Sequence, residues 1–189
     1  MVAKIGSLVD KFAYVSIDPA KWETIGDPIV TNKRLKLETG QGIKSRAEYD
    51  FTGSQAFAIV DVALVHALED TGEAGADFQF TFEVDSTNNI SMRLLGDYLH
   101  FSITKNGIVN GASIVYQPDA HAQWRMRERY GVLIWETSNS GVNWDIQRQL
   151  THGMNLTHGK LLLLNQAAST CGVFGAGLFG AGVFGCVPV

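Results

Sequence analysis

The sequence predicts an all-β protein, a two-sheet antiparallel jelly-roll β-sandwich carrying a short Gly/Phe-rich repeat at its C-terminus. Three observations lead there. Apolar and polar residues alternate over short segments, turn residues interrupt those segments at short intervals, and no stretch shows an amphipathic helix with caps. Taken in order, the strand-like segments are 34–38 (RLKLE), 56–66 (AFAIVDVALVH), 77–84 (DFQFTFEV), 90–95 (ISMRLL), 98–104 (YLHFSIT), 123–128 (QWRMRE), 132–137 (VLIWET) and 160–166 (KLLLLNQ). Each is rich in β-branched or aromatic residues. Between them lie turn-forming runs at 39–42 (TGQG), 69–76, 86–89 (STNN), 105–107 (KNG) and 138–141 (SNSG). Asn106-Gly107 is the kind of pair that closes a tight hairpin, since both residues tolerate positive φ. About a dozen short strands without helices suit a sandwich.

Length and composition bound the rest. A chain of 189 residues suits one domain with a hydrophobic core plus an appendage, placed here at 1–168 and 169–189. A formal net charge of −4 argues against a non-specific nucleic-acid binder. The start, MVAKIGSLVDKF, lacks the apolar run of a signal peptide. The two cysteines, Cys171 and Cys186, both lie in the repeat, so the main domain is expected to use neither disulfides nor thiolate metal sites; whether they pair is open. The five histidines, His66, His100, His121, His152 and His158, show no metal-ligand spacing.

The most informative segment is 121–150. A turn at Tyr130-Gly131 sets Arg129 opposite Val132, Arg127 opposite Ile134, Arg125 opposite Glu136, Met126 opposite Trp135 and Trp124 opposite Thr137. One face then carries Trp124, Met126, Leu133 and Trp135, which is a core-facing set. The other carries Arg125, Arg127, Arg129 and Glu136. Glu128 falls on the apolar face, where a lone carboxylate is costly unless paired, so a bulge is expected near it. Trp144 is expected on the strand that returns after the second turn.

These residues carry a resemblance. The run AHAQWRMRERYGVLIWETSNSGVNW, with its His-x-x-Trp-x-x-Arg-Glu, Trp-Glu-x-Ser, Gly turn and Trp, resembles a signature of concanavalin A-like (laminin-G-like) jelly-roll domains. Asp10, Phe12, Asp18 and Trp22 resemble the usual opening of such domains, and AEYDFTGSQAFAIVDV resembles their next landmark. The likeness spans roughly residues 8–168. Modules of this form occur in minor tail proteins of phages that infect actinobacteria and in secreted glycan-binding proteins. One fold hosts many functions.

Laminarinase-type glucanases of this fold place Glu-x-Asp-x-x-Glu on one strand. Glu83-Val84-Asp85 begins that pattern, but Asn88 or Asn89 stands at the third acidic position, and an amide is no general acid. The expectation is therefore a protein without enzymatic activity. Jelly rolls bind sugars with aromatic platforms and bidentate polar groups, and Arg125, Arg127, Glu136 and Trp144 are the candidates for glycan binding or an interface. Three arginines at alternate positions are usually a solvated face, with Arg125–Glu136 as a cross-strand pair; a subunit contact and an anionic-saccharide surface are the further readings. No cofactor is expected; calcium would find hard oxygen ligands at Asp85, Asn88, Asn89 and Asp97.

The last residues, 171–185, repeat with a period of five. Val173, Leu178 and Val183 share one slot, and Phe174, Phe179 and Phe184 another. Six glycines between 172 and 185 disfavour a membrane helix, and a fusion peptide, which GLFGAG resembles, usually sits at an exposed N-terminus rather than here. Those six apolar residues are the candidate subunit contacts. On this basis the sequence predicts a structural virion protein of a phage, a minor tail or tail-tip subunit, made in the host cytoplasm. Its partners would be other virion subunits, further copies of itself in a homo-oligomer, and a host cell-surface glycan, with no nucleic acid and no membrane span. The alternatives are a carbohydrate-binding, lectin-like module for host cell-wall glycan and a capsid decoration protein.

Overall fold

The computed structural model of the chain describes residues 2–10, 12, 16–31, 34–38, 40–59 and 77–166. The repeat and its candidate contacts Val173, Phe174, Leu178, Phe179, Val183 and Phe184 lie outside the described residues, as do Cys171, Cys186 and His66. Among the described residues there is one 3-10 turn, Ile5–Ser7, and thirteen strands. The strands are β1 (Trp22–Ile25), β2 (Ile29–Thr31), β3 (Arg34–Lys36), β4 (Gln41–Ser45), β5 (Gln55–Ile59), β6 (Asp77–Asp85), β7 (Asn88–Leu95), β8 (Tyr98–Lys105), β9 (Ile108–Val115), β10 (Gln123–Arg129), β11 (Val132–Ser138), β12 (Asp145–Thr151) and β13 (Lys160–Gln166).

They form a seven-stranded sheet in the order β1-β4-β13-β6-β7-β8-β9, a four-stranded sheet in the order β12-β11-β10-β5, and a β2–β3 ribbon. Alternation decides what each sheet buries. Phe80 and Phe82 of β6, Ile90, Met92 and Leu94 of β7, and Leu99, Phe101 and Ile103 of β8 point inward. They meet Trp124, Met126, Leu133 and Trp135 of the four-stranded sheet, the set read from the hairpin pattern. Trp135 ties the layers together by donating its indole N–H to the Ser91 carbonyl at 3.0 Å. Arg148 does so at one margin, donating to the carbonyls of Phe101 (2.6 Å) and Asn110 (3.1 Å).

Four strands escape the sequence pattern: β1, β2, β4 and β9. Gln41 and Gly42 looked like turn residues, yet they open β4. Glycine is needed at 42 because a Cβ there would stand 2.6 Å from the Leu163 carbonyl of β13. β9 is the sheet edge, where all residues but Ile114 are exposed, so it has no inside-outside alternation to read. Its hairpin with β8 closes as expected, on Asn106 and Gly107 with φ of 51° and 78°.

The opening landmark is a clasp. Asp10 accepts from the Phe12 amide at 2.8 Å and from the Trp22 indole at 2.8 Å, while Phe12 stacks on Trp22. Asp18 holds the turn before β1 through the Ala20 amide. Glu128 of the signature is structural as well. Its carboxylate accepts from the backbone N–H groups of Gly53 and Gly131, with His152 at 3.6 Å. No bulge is therefore needed there, contrary to the sequence expectation, and β10–β11 keep the predicted register from Gln123–Ser138 to Arg129–Val132.

Candidate functional site

The outer face of the four-stranded sheet gathers the four candidate residues. Arg125 and Arg127 project from alternate positions of β10, and Glu136 lies directly across from Arg125 on β11. Arg125 Nε donates to Glu136 Oε2 at 2.6 Å, and Arg127 Nη2 reaches diagonally to Oε1 at 2.8 Å. Glu136 is only 2% exposed, so both its oxygens are spent on guanidinium groups that remain partly open to solvent. Charge-assisted bonds to a buried carboxylate fix the two forks.

Trp144 completes the group through a bulge. The β11–β12 register slips by one residue between Trp135 and Glu136, so that Trp135 faces Arg148 while Glu136 faces Ile146. Side chains alternate faces with period two, so one inserted residue moves everything before Arg148 to the opposite side. Trp144, just ahead of β12, thereby stands on the outer face beside Arg125. The Arg125 guanidinium lies 4.0 Å from the centre of its ring, and the indole N–H donates to Gly141 O at 3.1 Å. Ser138 closes the preceding turn by accepting from the amides of Ser140 and Gly141.

Beyond Arg127 this face runs into an open groove of about 660 Å³ lined by Gly53, Ser54, Gln55, Arg127, Glu128, Arg129 and Tyr130. Tyr130 is 89% exposed, held in the hairpin turn at φ 52°, with the Arg129 guanidinium 5.3 Å from its ring. The sequence reading counted Tyr130 only as a turn residue. The signal in the sequence is a bulky aromatic at a turn position before Gly131, where Asn is favoured.

The outer face of the seven-stranded sheet is built differently. Asp77, Gln79, Thr81 and Glu83 of β6, Asn89, Ser91 and Arg93 of β7, and His100, Ser102 and Thr104 of β8 all point away from the core, in register. Arg93 grips Asp77 through Nε at 2.6 Å and through Nη2, and the Ser91 and Ser102 hydroxyls bond each other at 2.8 Å. Gln79, Thr81, Ser91 and Thr104 are buried, and the Gln79 Oε1, Thr81 Oγ1 and Thr104 Oγ1 atoms find no partner among the described residues. Burial and the nearby Arg93 charge lower the His100 pKa, with Asp77 opposing.

The remaining acids are placed as follows. Glu83 pairs with Lys44 at 2.9 Å. Asp85 accepts from the Thr87 amide and hydroxyl and from the Asn88 side chain, and these bonds hold its carboxyl below the usual range. Asp97 follows the far end of β7, roughly 25 Å from Asp85 at ~3.3 Å per residue, so the imagined calcium ligands do not converge. Among the described residues no three His, Cys, Asp or Glu side chains gather as a metal site. Among the same residues no helix is long and apolar enough to cross a membrane.

Comparison with solved structures fixes the architecture. A β-1,3-1,4-glucanase (lichenase) derived from a mouse hindgut metagenome aligns with a TM-score of 0.57 at 11% identity, over 82% of this chain and 83% of that one. Bacillus licheniformis β-glucanase aligns at 0.55 with 11% identity over 85% of each chain. The apo Crh5 transglycosylase aligns at 0.55 with 12% identity, over 84% and 68%. The fold is a concanavalin A-like jelly roll. No family model and no curated protein matches the chain.

Two expectations are corrected by this finding. The three structures above, which share the fold over most of the chain, are two glucanases and a transglycosylase by name, proteins of carbohydrate chemistry. The assignment as a phage tail or other structural virion protein is withdrawn. The expectation of no enzymatic activity falls with it, since the solved structures of this fold reported above are named as enzymes. The carbohydrate-binding alternative stands closer to the findings.

Proposed function

We propose that the protein is a carbohydrate-active jelly roll that engages a glycan through the outer face of β10–β11. The observation that carries this reading is the convergence of Trp144, Arg125 and Arg127 on the sheet's outer face, over the buried Glu136 that holds both arginines. A half-open indole offers an apolar ring to a sugar face, and two guanidinium groups offer planar, bidentate donors to vicinal hydroxyls. Glu136 holds both arginines in place before any ligand arrives, which lowers the entropy lost on binding. The carbohydrate-acting names of the structural neighbours support the same class of ligand.

The test is a binding titration of the protein with soluble polysaccharides, beginning with mixed-linkage β-glucan and a uronate polymer, followed by measurement of released reducing ends. Trp144→Ala is expected to weaken binding about five- to tenfold, or ~1 kcal/mol, without unfolding the protein. Reducing ends appearing with time would add turnover to binding. A folded Trp144→Ala variant that binds every saccharide as tightly as the parent removes this face from the function.

A further inference from the structure

We infer that the groove beside Arg127, Arg129 and Tyr130 is a subsite for an anionic group on the saccharide, a carboxylate or a sulfate. The inference rests on the glycan reading above and names the chemistry of the ligand. Three observations carry it.

The first is charge. Arg125, Arg127 and Arg129 stand against the carboxylates of Glu136 and Glu128, which leaves about one positive charge uncompensated in a chain of formal net charge −4. Glu128 lines the groove but is buried and committed to the Gly53 and Gly131 amides. A local excess of this kind attracts an anion against the overall field.

The second is unmet donor capacity. Arg127 spends Nη2 on Glu136, while its buried Nε–H finds no acceptor among the described residues. Arg129 is exposed, and its contact on this face is the Tyr130 ring, with no carboxylate within ion-pair distance among the described residues. Arg127 and Arg129 occupy alternate positions of one strand, with Cα atoms ~7 Å apart, and both line the groove.

The third is the platform. Tyr130 projects from the turn with its ring almost wholly in solvent, at the mouth of a groove whose other wall is Ser54 and Gln55. A sugar ring laid on Tyr130 would place a charged substituent toward the arginines and its hydroxyls toward Ser54 and Gln55. A neutral glycan can offer these guanidinium groups only hydroxyl oxygens, which form weaker bonds than a carboxylate or sulfate would.

The experiment compares oligogalacturonate, dextran sulfate and neutral dextran in calorimetric titrations of the full chain, at low and at 0.5 M salt. At least one anionic probe is expected to bind ten times or more tighter than dextran, and salt is expected to reduce that margin. Arg129→Gln and Tyr130→Asn, the latter chosen because Asn accepts positive φ, are each expected to weaken the anionic probe about three- to tenfold while leaving the thermal midpoint in place. Carboxylate and sulfate are told apart by which probe responds. Equal affinity for dextran and both anionic probes overturns the anionic subsite alone. Anionic binding that survives both substitutions moves the anion elsewhere and overturns it too. Failure of the parent to bind these probes and mixed-linkage glucan alike overturns the glycan reading as well.

Discussion

Thr81 and Glu136 hold the same kind of position, mid-strand and turned away from the shared core, yet their surroundings are opposite. Thr81 sits in a file of buried short polar side chains on the seven-stranded sheet, where its hydroxyl, the Thr104 hydroxyl and the Gln79 carbonyl oxygen lack partners among the described residues. Glu136 is as deeply buried, but two arginines that reach solvent satisfy both its oxygens. A buried polar atom without a partner costs about 1–3 kcal/mol, whereas a satisfied carboxylate becomes an anchor for whatever holds it. The four-stranded face can therefore present fixed cationic groups to a ligand at little cost to the fold. The seven-stranded face carries its polarity as a burden.

Breaking the anchor on each face tests that contrast most strongly. Asp77→Ala removes the carboxylate that Arg93 grips in a nearly sealed site and is expected to cost about 3–5 kcal/mol in urea unfolding. Glu136→Gln frees two arginines that can turn to water, so a loss of about 2–3 kcal/mol is expected. A larger loss for Glu136→Gln than for Asp77→Ala would reverse the comparison. Thr81→Val removes a hydroxyl with no partner among the described residues and fills the same volume. It is expected to leave stability unchanged or raise it by about 1 kcal/mol, and a loss above ~1 kcal/mol would mean the hydroxyl is satisfied after all.

The smallest effect is in pH. His100 has its pKa lowered, first by burial and then by Arg93, so the folded state favours the neutral ring. The unfolded chain takes up the proton first, at about 6.5. Stability from this group is thus complete above about pH 6.5 and declines as pH falls toward the folded value. His100→Asn is expected to flatten the pH dependence of the thermal midpoint on the acid side of 6.5. An unchanged slope would show that His100 is not the group responsible.

Much of the fold was legible because alternation is a local signal. Trp124, Met126, Leu133 and Trp135 could be assigned inward from a single turn position, and Arg125 could be set against Glu136 by the same step. What stayed hidden was non-local. Nothing near Glu128 announces that Gly53, far earlier in the chain, donates to it. The one-residue slip in β12 that turns Trp144 outward has no signature in DIQRQLT, since either phase pairs acceptably. Arg127 reaching diagonally to Glu136 depends on side-chain length, which facing-pair rules do not include. The virion expectation failed for another reason. It leaned on the repeat at 171–185 and on a resemblance whose fold is shared by carbohydrate-acting proteins.

The position of β13 has a consequence for how the molecule is made. Lys160–Gln166, late in the sequence, forms an inner strand of its sheet, hydrogen-bonded to β4 on one side and β6 on the other. Until a ribosome has released those seven residues, the β1–β4 pair and the β6–β9 ribbon lack the strand that joins them, and the inner edges of β4 and β6 are unpaired. The nascent chain must wait in that state, exposed to wrong partners, and only then zip shut through contacts of long sequence separation. Synthesis rate and chaperone supply, more than final stability, would then govern how much of this protein a cell recovers.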